Sequence, residues 1–247
     1  MTMKKVLMGA SAATILLAPF MAQAADPISN IGLMGSHNRY KLTSKIDKLD
    51  NSKERMPKGG IYYNFGNKLT GEEGFIYQVG AHAQYGKKGD VKNREAQLDL
   101  DGGYRLSIDE RNYVDGLLGV GYEHSRYDDK KGTNVRLTNK MPFAKAGVGF
   151  NHQGDTVLTR LEVGSRYNID ATTKVHVQGL GNEKVDMKNK HNPYAELTFM
   201  WDKGYNDLPI TAGLYYTQHN YKLKTKRDIT GSELKNDEYG VKVGLAF

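Results

Sequence analysis

The chain has no cysteine among its 247 residues, which excludes disulfide staples. Beyond residue 24 no apolar run is long enough for a spanning helix, which excludes a helical membrane protein. The seven histidines are scattered without metal-ligand spacing, and no Ser/His/Asp spacing marks a hydrolase. Proline is scarce, at six. Glycine (28) and tyrosine (16) are abundant, and the net charge is +7.

The first residues, "MTMKKVLMGASAATILLAPFMAQA", have a basic start at Lys4 and Lys5, an apolar stretch, and a small-x-small end at Ala22-Gln23-Ala24. This pattern predicts a Sec-type signal peptide over 1–24 and a mature domain over 25–247. An exported, polar, Tyr- and Gly-rich chain without helical spans suits a secreted β protein or a membrane barrel. Mean hydropathy does not separate the two, because a barrel's polar lumen dilutes its lipid face.

Period-two alternation recurs along the chain. In "AQLDLDGGYRL", Ala96, Leu98, Leu100, Tyr104 and Leu106 alternate with Gln97, Asp99, Asp101 and Arg105. "FIYQVGAHAQY", "FAKAGVGF", "RLEVGSRY", "YAELTFMW" and "EYGVKVGLAF" repeat the pattern, which predicts strands. The predicted strands lie near 29–41, 58–66, 74–86, 94–107, 112–125, 141–152, 156–169, 193–202, 208–221 and 238–247. A two-sheet sandwich is the soluble alternative. Aromatics at the ends of the apolar rows, such as Tyr85, Tyr104, Tyr122, Tyr167, Trp201, Tyr239 and Phe247, favour the interfacial girdles of a membrane barrel.

The expected fold is therefore all-β: a ten-stranded antiparallel transmembrane barrel with short periplasmic turns and five longer extracellular loops. An even strand count closes the sheet and leaves no edge. The terminal Phe247 on an alternating strand matches a C-terminal signal read by the bacterial barrel-assembly machinery, so the expected location is a Gram-negative outer membrane. The polar row, with Arg105, Lys145, Arg160, Glu162, Arg166, Glu196 and Lys242, is expected in the lumen, either paired as a plug or lining a pore. His82 is expected there as a hydrogen-bonded filler.

The predicted long connections, at 42–57, 87–93, 126–140, 170–192 and 222–237, concentrate the positive charge. Its clusters are "KKGDVKNR", "RYDDKKGTNVR" and "YKLKTKR". A converging basic surface attracts polyanions, and arginine suits paired contacts to sulfate and carboxylate. Tyr40, Tyr127 and Tyr221 lie beside these clusters as stacking platforms for sugar rings. Contact with anionic lipopolysaccharide is the blander reading of the same charge. Catalytic roles have weaker support: Asp128-Asp129 with His124, or His219 with Asp228, resemble the acid and acid–histidine pairs of omptin proteases, but no spacing compels them.

The C-terminal "EYGVKVGLAF", the strand "ITAGLYYTQHNYK" and the hairpin "DLDGGYRLSIDERNYVDGLLGVGYEHS" are similar to the OpcA family, the neisserial Opc adhesins and invasins. The resemblance implies a barrel whose outer loops form a basic crevice. Such a crevice binds heparan-sulfate proteoglycans and other sulfated or sialylated glycans, with matrix proteins bridging to host cells. At matching positions stand Lys87, Lys88, Lys92 and Arg94; Arg126, Lys130, Lys131 and Arg136; and Lys222, Lys224, Lys226 and Arg227, with Tyr127 and Tyr221 beside them as candidate glycan contacts. "GKKGDVKNR" departs from the family, whose second loop is long. The resulting expectation is a monomeric, non-enzymatic adhesin without cofactor or nucleic-acid partner. A small uptake channel is the alternative.

Overall fold

Alternating side chains sort onto the two faces of a sheet, and closing that sheet turns the faces into an inside and an outside. The computed structural model describes residues 25–43, 53–129, 135–177, 181–222, 224 and 233–247. Its strands are β1 (Ile28–Thr43), β2 (Lys53–Gly66), β3 (Gly74–Lys88), β4 (Val91–Ser107), β5 (Asn112–Asp129) and β6 (Val135–Gln153). They continue with β7 (Val157–Asn168), β8 (Thr172–Val177), β9 (Gly181–Asp186), β10 (His191–Trp201), β11 (Ile210–Lys222) and β12 (Glu233–Ala246).

Ten of them close into an antiparallel ring in the order β1-β2-β3-β4-β5-β6-β7-β10-β11-β12. The closing seam pairs Ile31 with Leu245 and His37 with Tyr239. Ser29 and Phe247 exchange backbone hydrogen bonds of 2.8 and 2.9 Å at its lower end. The β8–β9 hairpin stands outside the ring and pairs with the upper part of β6, Val135–Lys140. Its base packs Met187 and Ala171 against Met141.

The outer face is apolar. Ile31, Leu33, Ile61, Leu98, Leu118, Val148, Val163, Leu214 and Val243 are all exposed there. The inner row is polar and buried, including Arg105, Asp115, Asn151 and Glu238. This inversion of a soluble protein's burial rules out the sandwich, which needs its apolar face inside.

Strand lengths set the vertical layout. A tilted strand crosses a bilayer in about 9–11 residues, whereas β5 has 18 and β6 has 19. The excess lies at the end opposite the termini, so β3–β6 and β8–β9 form a wall above the apolar band. The sequence reading missed this extension. The predicted long connection at 87–93 is a hairpin with only Gly89 and Asp90 between strands, and Lys87 pairs with Lys92. Gly89 has φ +58 there, which a tight hairpin favours in glycine. Most of 126–140 is also strand, and 170–192 contains β8 and β9. Polar, charged segments look like loops by composition, yet their backbone groups are satisfied by ladder pairing with neighbours.

Candidate functional site

Two regions concentrate chemistry: the lumen and the wall above the apolar band. In the lumen, all seven expected residues face inward, and charges pair in tiers. Near the lower mouth, Arg105 and Asp115 have fully buried side chains 2.7 Å apart, and Arg160 also contacts Asp115. In the middle, Lys145 lies 3.0 Å from Asp99 and 2.7 Å from Asp101. Arg160 and Lys242 reach Glu162 and Glu196 at 2.9 and 2.8 Å. Arg166 donates to Gln97 Oε1 at 2.9 Å and lies over the Phe143 ring. Higher up, Lys58 binds Glu95 and Glu238 at 2.7 and 2.9 Å. His82 lies 3.5 Å from Glu95.

The β2–β3 turn fills the lower mouth. Lys68 enters the lumen and binds Glu162 at 3.0 Å and Asp101 at 2.5 Å. Arg105 donates to the Lys68 carbonyl at 2.8 Å and also to that of Thr70. Leu69 and Ile28 pack against Leu158, Met200 and Ala246, which seal the rest of the opening. Between these tiers remains a polar cavity of about 110 Å³, lined by Lys68, Asp99, Glu162 and Lys242 among others. The sequence reading missed Lys68, Lys58 and Asp115 as lumen charges. Asp115 follows the inward parity of β5, but Lys68 belongs to a turn that no periodicity marks.

The described basic candidates do not converge over the lumen. Lys87, Lys92 and Arg94 share the outward parity of Tyr85 and Leu98, and Arg126 and Arg136 also point away from the barrel axis. Lys88 tops β3 and is exposed, as is Lys224, while Lys222 is half-buried at the end of β11. Tyr221 lies in β11; its side chain, and Lys130, Lys131, Lys226 and Arg227, lie outside the described residues. Asp128 binds Arg126 and Arg136 at 3.0 and 2.7 Å. Burial alone would raise the Asp128 pKa, but hydrogen bonds from Arg136 and Arg126 hold it below the ordinary carboxylate value. Among the described residues, the candidates of β3–β6 form an outward basic wall.

Tyr40 and Tyr127 face inward at the top, their ring centroids 6.3 Å apart. Tyr40 accepts a 2.6 Å hydrogen bond from Asn93, and Tyr127 donates to Glu54 at 3.2 Å. Burial pushes both phenols well above their usual pKa. Their hydroxyls are occupied, so they act as packing for the mouth. The omptin-like set of Asp128 with His124 is not assembled. His124 and Asp128 face outward, Asp128 is held by two arginines, and Asp228 lies outside the described residues. No group of three His, Cys, Asp or Glu side chains among the described residues is placed to hold a metal.

Residues 10–199 match the family described as "Outer membrane protein beta-barrel domain". Comparison with curated proteins gives no match. Among solved structures, the outer membrane protease OmpT from Escherichia coli is similar at 10% identity. It covers 91% of this chain and 97% of its own, with a TM-score of 0.49. The translocator domain of autotransporter NalP from Neisseria meningitidis is 11% identical, covers 97% of both chains and scores 0.46. Ail of Yersinia pestis, in complex with the heparin analogue sucrose octasulfate, is 12% identical. It covers 90% of this chain and 100% of its own and scores 0.31. These likenesses describe a shared outline and say nothing of activity.

Proposed function

This chain belongs to the outer membrane protein β-barrel domain family, and on that premise we propose that it is a non-enzymatic adhesin of the OpcA type. In this reading residues 1–24 direct export and are removed, and the end opposite the termini faces the cell exterior. The barrel captures sulfated or sialylated glycans and proteoglycans, directly or through matrix proteins, with Lys87, Lys88, Lys130, Lys131, Lys222, Lys224, Lys226 and Arg227. The observation that carries it is the wall of strands rising above the apolar band, with cations on it and ion pairs filling the barrel beneath. A channel would need an open lumen, and the Lys68 turn and the Leu158–Met200–Ala246 cluster occupy its lower mouth.

The test is binding of heparin to detergent-solubilised protein. Exposed charges are screened over about 8–10 Å at physiological ionic strength, so binding weakens steeply as salt rises. It weakens further in a Lys87→Gln/Lys88→Gln/Lys130→Gln/Lys131→Gln variant. Salt-insensitive binding, or an unaffected variant, overturns the proposal.

A further inference from the structure

We propose that the lumen cavity holds one small zwitterion, an α-amino acid of about glycine's size, with its carboxylate on Arg166 and its ammonium on Glu123. The proposal rests on the closed barrel and not on the glycan reading.

Ion pairing in the lumen leaves two groups over. Lys58, Lys68, Arg105, Lys145, Arg160 and Lys242 each meet a carboxylate. Among the described residues Arg166 meets none. Its Nη1 donates to Gln97 Oε1 at 2.9 Å, and its guanidinium lies over the Phe143 and Tyr194 rings. Its Nε is buried without a hydrogen-bond partner. The acid left over is Glu123, which is 2% exposed. One of its oxygens lies 3.4 Å from His219 Nδ1, and the other is buried without a hydrogen-bond partner. Leaving a buried ion without a counter-charge is costly, and here one ion of each sign is left.

The two lie in the same part of the lumen. Arg166 crosses from β7 to Gln97 on β4, and Gln97 is the register partner of Glu123 on β5. Both charges converge on one amide without forming an ion pair with each other. Lys145, the register partner of Arg166, is already held by Asp99 and Asp101. An anion on Arg166 alone leaves Glu123 unmatched, and a cation on Glu123 alone leaves Arg166 unmatched. A molecule carrying both charges on adjacent carbons matches the two together, through charge-assisted hydrogen bonds at each end.

The space is of the right size. The cavity of about 110 Å³ is lined by Arg166, Gln97, His219 and Tyr194 among others. A cavity of about 150 Å³ takes benzene with its six heavy atoms, so this one takes about four or five, as in glycine. The Lys68 turn packs the lower mouth, and Tyr40 and Tyr127 pack the upper one. The ligand is therefore loaded as the barrel folds, and it leaves slowly.

The test refolds the barrel from urea into detergent with isotope-labelled glycine at millimolar concentration. Gel filtration removes unbound solute, and native mass spectrometry reads what stays. Labelled acetate and labelled methylamine, each with one of the two charges, run in parallel on wild type and need no variant. Wild type is expected to retain one glycine per barrel, and at least about tenfold less acetate or methylamine. Arg166→Gln and Glu123→Gln, their folding confirmed by the heat-dependent gel shift of a barrel, are each expected to lose glycine by about that factor and to bind heparin as wild type does. No retained glycine overturns the site and leaves the cavity to water. Acetate or methylamine retained as well as glycine overturns it too, as does a folded variant that keeps its glycine. Loss of heparin binding with glycine retained overturns the glycan reading alone and leaves this site standing.

Discussion

Inside the barrel, Lys145 lies between Asp99 and Asp101, and Lys58 between Glu95 and Glu238. On the outer wall, Arg39 faces Arg55 and Lys87 faces Lys92, with acids only on the far flanks, Asp237 opposite Arg39 and Asp128 opposite Lys92. The same residue types are ion-paired in one place and, for these four, not ion-paired in the other. A charge withdrawn from water costs several kcal/mol unless it is paired, so the lumen leaves little room for unmatched ions. A charge at the membrane edge keeps its hydration and can await an external partner. Charge inside therefore packs the lumen, and charge outside stays hydrated.

Breaking a compensated pair gives the largest effect. Asp115→Ala removes the only carboxylate paired with Arg105 among the described residues and leaves Arg160 with Glu162 alone, and is expected to cost about 3–5 kcal/mol. Urea unfolding of the folded barrel in detergent measures it, and an unchanged midpoint would break the contrast. Next comes the plug. Lys68→Met leaves Asp101 with Lys145 and Glu162 with Arg160, so the stability cost falls to about 1–3 kcal/mol. The turn, however, loses its anchor in the lumen. Wild type is expected to be silent in planar bilayers and the variant to show intermittent conductance. A variant as silent as wild type would assign the closure to Leu158, Met200 and Ala246 alone.

The smallest effect sharpens the wall side. Asp128→Asn frees Arg126 and Arg136, and heparin binding is expected to tighten a few-fold. The stability change stays under about 1 kcal/mol, as for exposed pairs. The sign with pH follows from the lowered pKa of Asp128. Its stabilising contribution is full above the unfolded value, near 3.9, and is lost as pH falls through the lower folded value. Heparin binding by wild type should therefore rise only below the ordinary carboxylate range. The Asn variant should lack that step, and a matching step in both would exclude Asp128 as its source.

Much of this architecture was legible in the residues. Leu98 and Leu100 against Asp99 and Asp101 fixed which face met which medium, because strand parity is local and needs no partner. The seven lumen charges followed from the same parity. The basic candidates were legible as a group, but those at 87–94 lie on strands rather than in a loop. "KKGDVKNR" resembles a loop by composition, while β3 and β4 carry Lys87, Lys92 and Arg94 as ladder partners on an outward face. Lys68 gave no signal, since a turn residue has no period to betray its direction.

Alternation, aromatic row ends and the absence of cysteine and long apolar runs decided the fold class and the lipid-facing side, because those depend on side-chain spacing along one strand. Closure decided the rest. Which cations find acids, which face each other, and that the β2–β3 turn enters the mouth depend on register between strands distant in sequence. Register is set only when the whole ring pairs, as where Lys58 meets Glu238 at 2.9 Å across 180 residues of chain.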